Sequence, residues 1–260
     1  MDAAASHTPG EAVIESSGAK QTTTRAVDRA LQLLTAVLMG ETKSTLTSLS
    51  RAVDLSPSTA SRLLTTLSSH GFVQQREDGR YAPGPRVKQL AASALRDDPV
   101  YESVGVHLDS LAEHTHETAS FAVPAGEDEV LYLRQVSPST QQVQTIVWTG
   151  RTIPRASTAL GSALDGSVNE HGYVVSKRPD SDVTAVATPI FDHRGVIIGA
   201  ISINAPAYRT TSADVDGYGH LLVQHAEQLS TSLGAPTADL RADGYFGGPI
   251  VRRRANILDQ

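Results

Sequence analysis

The chain has 260 residues, 40% of them apolar, and a formal net charge of −6, which is enough material for two globular domains with separate cores. It contains no cysteine, which excludes a disulfide framework, a thiolate nucleophile and a cysteine-based zinc site. The longest apolar run, residues 196–203, is far too short to cross a membrane and is broken by Gly199 and Ser202. The charge is unevenly spread. Residues 20–90 hold ten Lys/Arg against five Asp/Glu, a surplus of +5, so the remainder carries −11. A basic module attached to an acidic body is attracted to phosphates at one end and repelled from them elsewhere.

Residues 1–24 are small and polar, without the basic and apolar regions of a signal peptide, and read as an extension on a cytoplasmic protein. The spacing of Val27, Leu31, Leu34 and Leu38 predicts a helix over residues 25–39, with that stripe packed inward and Gly40 ending it. Thr47 can cap a second helix that buries Leu49, Ala52 and Val53. Asp54-Leu55-Ser56 makes a tight turn. Ser56 then caps a third helix with Pro57 at its first position, where the missing N–H costs nothing. Ala60, Leu63, Leu64 and Leu67 face inward, which leaves Ser58, Ser61, Arg62, Thr65 and Ser69 outward with no carboxylate among them. Gly71 stops the helix. Residues 72–75, a turn at Glu77-Asp78-Gly79 and residues 80–82 then form a hairpin.

A helix-turn-helix followed by a basic hairpin predicts a winged helix-turn-helix over residues 25–84, with double-stranded DNA as partner. Arg62 is placed to read a guanine edge or grip a phosphate, while Ser58, Thr59, Ser61 and Thr65 offer permissive hydrogen bonds. Thr47 and Ser56, at the helix starts, join these candidate contacts. Arg76 and Arg80 in the wing suit backbone phosphates. Arg25 suits either a phosphate or a salt bridge.

Pro83-Gly84-Pro85 marks a boundary, and Val87, Leu90, Ala91, Ala94 and Leu95 outline a linker helix within residues 85–98. A second domain over residues 99–234 opens with a helix carrying Tyr101, Val104, Leu108, Leu111 and Ala112. Strands are expected at 119–123, 130–136, 143–147, 184–191 and 196–203, with hairpin turns at residues 124–128 and 192–195. Thr211 and Asp214 form a capping box for a closing helix lined by Val215, Tyr218, Leu222, Ala226, Leu229 and Leu233. Gly217 and Gly219 inside that helix call for a close backbone contact. Residues 235–260 show no period and read as a tail, with Arg252-Arg253-Arg254 in solvent or against phosphate. Hairpin strands flanked by helices give an α+β fold with an antiparallel sheet.

Neither His107, His114 and His116 nor Asp214-Val215-Asp216-Gly217 has the spacing of a metal site. With no nucleophile elbow, phosphate loop or cofactor motif, the chain is read as a non-enzyme without cofactor or metal.

From residue 24 to 234 the chain resembles the IclR family of bacterial transcription regulators. The resemblance is carried by Arg25-Ala26-Val27-Asp28-Arg29-Ala30-Leu31, Ser58-Thr59-Ala60-Ser61-Arg62-Leu63-Leu64-Thr65-Thr66-Leu67, and Gly79-Arg80-Tyr81 with Gly84. It continues through Ile153-Pro154, Thr158-Ala159-Leu160-Gly161-Ser162-Ala163-Leu164, Thr188-Pro189-Ile190-Phe191-Asp192 and Gly199-Ala200-Ile201-Ser202-Ile203. It implies a GAF-like effector-binding domain for small organic molecules, often carboxylates, and a homodimer or dimer of dimers on a pseudo-palindromic operator. By similarity, Thr158, Ala159 and Leu160 floor the effector pocket, and Ser202 and Asn204 reach in from a strand end. Ala185 stands where a small polar or thiol residue is usual. Trp148, the only tryptophan, is either core, interface or pocket wall. Only Ser167–Glu170 separate Gly166 from His171, which predicts a shortened, less polar pocket. Two functions follow: a repressor whose second domain senses a small molecule, or a ligand-independent regulator whose second domain only dimerises.

Overall fold

The computed structural model describes residues 24–40, 44–138, 147–177 and 182–247. The chain divides into two compact units between Gln89 and Leu90.

The first unit contains α1 (Arg25–Met39), α2 (Leu46–Ala52), α3 (Pro57–Ser69) and a two-stranded wing, β1 (Val73–Gln75) paired antiparallel with β2 (Tyr81–Pro83). Leu33, Val37, Leu49, Ala60, Leu64 and Val73 form its core, each large side chain contributing about 1.5–3 kcal/mol by leaving water. Asp54 takes up the left-handed conformation in the turn before α3, which short polar side chains tolerate. Gly71 does the same after α3, at φ 75°.

Three expectations are corrected here. The inward face of α1 is Leu33 and Val37, whereas Val27 and Leu31 are more than half exposed and Leu38 also faces solvent. The helix is apolar on two sides, so periodicity alone could not tell which side the core takes. The cap of α2 is Thr45, whose hydroxyl and Ser48 form a reciprocal capping box; Thr47 lies inside the first turn, exposed. Ala52, expected in the core, is also exposed.

The helix α4 (Pro85–Arg96) spans the division and buries no residue. The second unit follows as α5 (Pro99–Thr115), β3 (Thr118–Ala125), β4 (Glu129–Val136), β5 (Thr152–Pro154), α6 (Ala159–Leu164), β6 (Val174–Lys177), β7 (Val183–Phe191), β8 (Ile197–Pro206), α7 (Ser212–Ser232) and α8 (Thr237–Ala242). Its six strands form one antiparallel sheet in the order β5-β4-β3-β8-β7-β6.

Alternation along the strands gives the two sheet faces different contents. Ala119, Phe121, Val186, Ile190, Ile201 and Ile203 pack against α5 and α7 in the larger core. The opposite face, under α6, presents Ala122, Ala187 and Ala200. Bulky residues fill one side and alanines leave room on the other.

The edge strands β5 and β6, three and four residues long, carried too little pattern to be predicted. The strand expected at 143–147 lies outside the described residues except for Val147, which is in no strand. Residues 1–23 and Arg252-Arg253-Arg254 also lie outside them. The expected tail is partly structured: α8 places Leu240, and Phe246 after it, in the larger core. A helix of six residues is too short for a readable period. Gly219 lies against the Tyr173 ring, where a Cβ would come within 2.5 Å, whereas Gly217 faces open space. Among the described residues no helix is long and apolar enough to cross a membrane.

Candidate functional site

The outward face of α3 is built by its own first turn. Ser56 accepts the Thr59 N–H at 3.2 Å and lies 3.1 Å from the Ser58 hydroxyl and 2.9 Å from that of Thr59. Ser58, Arg62 and Thr65 follow at i, i+4 and i+7, all exposed, with Ser61 half-buried beside them. The Thr65 hydroxyl donates to the Ser61 carbonyl at 2.9 Å, so that side chain turns its methyl outward. The Arg62 carbonyl accepts the Thr66 hydroxyl, but its guanidinium has no hydrogen-bond or ion-pair partner among the described residues. The free guanidinium on a carboxylate-free face suits a nucleic acid, which supplies both acceptors and negative charge.

In the wing, Arg76 and Arg80 are exposed. The Arg76 N–H donates to the Arg80 carbonyl at 2.7 Å, and Arg80 lies 3.6 Å from Asp78 in a solvent-screened pair. Arg25 opens α1 and is exposed, as is Thr47 on α2.

The second site is a cavity of about 180 Å³ on the alanine face of the sheet. Tyr132 and Gln135 come from β4, Ile153 from β5, Ser176 from β6, Val183 and Ala185 from β7, and Asn204 from β8. Thr158, Ala159 and Leu160 close it from the start of α6, and Trp148 from the segment before β5. The Trp148 N–H donates to Gln135 Oε1 at 2.7 Å, and its ring lies 5.9 Å from that of Tyr132. Burial pushes the Tyr132 phenol up to about 12, so at neutral pH it is a protonated donor.

Six of the seven residues expected at an effector pocket therefore line this cavity: Trp148, Thr158, Ala159, Leu160, Ala185 and Asn204. Ser202 does not. It is fully buried in mid-sheet, its hydroxyl 3.4 Å from the Asn204 amide nitrogen. The Thr158 hydroxyl is already committed, accepting the Gly161 N–H at 3.1 Å and donating toward the Arg155 carbonyl at 3.1 Å. The residues reached only through the structure are Tyr132, Gln135, Ile153, Ser176 and Val183. They sit on ordinary alternating strands, with nothing in their spacing to separate cavity wall from core.

His107 is not free in solvent. It instead meets His225 of α7, Nδ1 to Nδ1 2.9 Å apart, and burial lowers the pKa of both. His114 bonds within α5 and His116 caps it in the left-handed conformation. Asp214 belongs to the capping box with Thr211. Among the described residues no three His, Asp or Glu side chains gather as a metal site.

A winged helix-turn-helix followed by an antiparallel sheet with helices on both faces defines a two-domain DNA-binding regulator. The IclR helix-turn-helix domain matches residues 26–77, and the C-terminal domain of bacterial transcriptional regulator IclR matches residues 166–231. The regulator XynR of Escherichia coli is 24% identical over 251 residues, spanning 82% of this chain and 98% of its own. The transcriptional repressor IclR of Escherichia coli is 26% identical over 248 residues, spanning 81% and 90%. Among solved structures, a regulator from Alicyclobacillus acidocaldarius shares the fold at a TM-score of 0.68 and 22% identity, covering 80% of this chain and 98% of that one. An IclR homolog from Microbacterium hydrocarbonoxydans complexed with 4-hydroxybenzoate does so at 0.64 and 21%, with the same coverage. The two domain models and the relatives spanning four-fifths of the chain support an IclR-family DNA-binding transcriptional regulator. The relatives it matches are regulators, not enzymes.

Proposed function

We propose that this chain is a ligand-responsive repressor that works in the bacterial cytoplasm as a homodimer or dimer of dimers. Two copies of α3 enter major grooves of a pseudo-palindromic operator whose half-sites lie one helical turn, ~34 Å, or a multiple apart. Ser58, Ser61, Arg62 and Thr65 meet base edges. Arg25, Thr47, Ser56, Thr59, Arg76 and Arg80 meet or flank the phosphates. The second copy covers Val27, Leu31 and Met39 of α1, apolar side chains each more than half exposed in one chain.

The observation that carries the reading is the exposed, unpaired Arg62 amid hydroxyls on a helix whose other face is core. The cavity supports the sensing half. A small molecule that favours one arrangement of the second domains shifts operator affinity by its differential binding energy.

The test is fluorescence anisotropy on DNA from upstream of the chain's own gene and its neighbours. Tight binding that falls steeply with salt and is weakened by Arg62→Ala supports the proposal. Binding that ignores both sequence and Arg62 overturns it. A broad thermal-shift panel of small organic molecules tests sensing, since a ligand at 100 times its Kd adds about 2.7 kcal/mol of stability.

A further inference from the structure

The outward face of α3 turns its hydroxyls back on its own helix. Thr65 donates to the Ser61 carbonyl at 2.9 Å and Ser69 to the Thr66 carbonyl at 2.8 Å, while the Ser58 and Ser56 oxygens share a hydrogen bond at 3.1 Å. A hydroxyl has one proton to donate, so those of Thr65 and Ser69 are already committed.

Ser58, Arg62, Thr65 and Ser69 recur at i, i+4, i+7 and i+11, on one line along the helix, and all four are exposed. Ala60 and Leu64, on the other side, are fully buried, which makes this line the centre of the outward face. A β-branched side chain whose oxygen bonds back to the preceding turn leaves its methyl as the outermost group. Thr65 is therefore the member of the line that presents a methyl. Ser58 and Ser69 carry none, and Arg62 ends in a guanidinium. Thr66 also turns its oxygen inward, to the Arg62 carbonyl at 3.2 Å, but its position falls to one side of the line.

We infer that Thr65 is a specificity-determining residue that selects thymine, its methyl packing against the thymine C5-methyl in the major groove beside the base pair met by Arg62. This rests on the reading of α3 as the helix that enters DNA. Spacing alone offered Thr65 as a hydrogen-bonding hydroxyl; the bond to Ser61 exchanges that for a carbon surface. Thymine is the only base that carries a methyl into the major groove, so an apolar contact there separates it from the other three without a hydrogen bond. Three residues of helix rise about 4.5 Å, against ~3.4 Å per base pair, so the methyl reaches a pair one or two steps from the Arg62 contact. The two side chains complement one another: a guanidinium for the paired acceptors of guanine, a methyl for thymine. Each half-site then holds a guanine and a thymine within two base pairs.

Selection from a pool of random-sequence duplexes with the full chain supplies the DNA. Fluorescence anisotropy then compares the selected duplex with copies in which each thymine, in both half-sites, is replaced by deoxyuridine. That exchange removes the methyl and leaves every hydrogen-bonding group in place. A buried methyl corresponds to about fourfold in affinity, hence about fifteenfold over two half-sites. The expected result is a loss of that size at one thymine per half-site, within two base pairs of a guanine on which Arg62→Ala relaxes selection. Thr65→Ser, which keeps the hydroxyl and drops the methyl, should bind the thymine and deoxyuridine duplexes within twofold of each other. Thr65→Val should keep the wild-type discrimination. The side chain is exposed, so unfolding midpoints should stay in place. Deoxyuridine tolerated at every thymine overturns the proposal, as does discrimination that survives Thr65→Ser or disappears in Thr66→Ser instead. In those cases DNA reading by α3 still stands if a sequence is enriched and Arg62→Ala weakens it. A pool that enriches no sequence removes the DNA reading itself, and this assignment with it.

Discussion

The outward face of α3 and the cavity of the second domain are built on opposite plans. The α3 face comes from one stretch of eight residues, 58–65, projected outward by a helix whose cap, Ser56, lies two residues before it. The cavity takes its eleven lining residues from five strands, a helix start and the segment before β5, over residues 132–204. The first is a local surface that needs only a scaffold behind it. The second exists only if the sheet keeps its register, because a one-residue slip of β7 would put Thr184 or Val186 where Ala185 lines the cavity.

Variants should separate the two. The largest effect is expected from Phe121→Ala, which empties a fully buried position in the core behind the cavity sheet. It should cost ~3–5 kcal/mol in a denaturant titration and abolish ligand binding. A loss under ~1 kcal/mol would mean that this face does not hold the sheet.

Arg62→Ala should do the reverse, weakening operator binding by ~1–3 kcal/mol if a base is read. Its unfolding midpoint should stay put, since the side chain is exposed and unpaired. Unchanged sequence preference would remove Arg62 from the recognition set.

The corrected cap gives a smaller, sharper contrast. Thr45→Ala should cost ~1 kcal/mol of stability by removing the box with Ser48, and Thr47→Ala close to none. Equal effects in the two variants would return the cap to Thr47.

The smallest effect is a pH slope confined to the second domain. His107 and His225 have pKa values below the ordinary 6.5, through burial and, for His225, the nearby His107 and His114. The unfolded chain therefore binds more protons than the native one just below pH 6.5, so stability rises with pH there and is lost as the pH drops through that window. His107→Gln should flatten the slope in thermal melts between pH 5 and 7. A slope unchanged in that variant would assign it elsewhere.

Residues 25–84 were legible in sequence because each device is local: a proline at a first helical position, a serine before it, a glycine after the last turn. The order of hairpins and the long closing helix were legible for the same reason. Two features were not. The inward face of α1 depends on which of two apolar stripes meets α3, and a symmetric pattern cannot announce that. The burial of Leu240 and Phe246 depends on a core assembled elsewhere.

The family resemblance and the helix-turn-helix with its carboxylate-free outward face thus follow from residue order, because helix periodicity and caps act over three or four residues. Which side chains face an empty volume was decided by strand pairing. Tyr132, Asn204 and Trp148 meet only because β4, β3 and β8 are neighbours in the sheet, and hydrogen bonding between distant strands leaves no trace in local spacing.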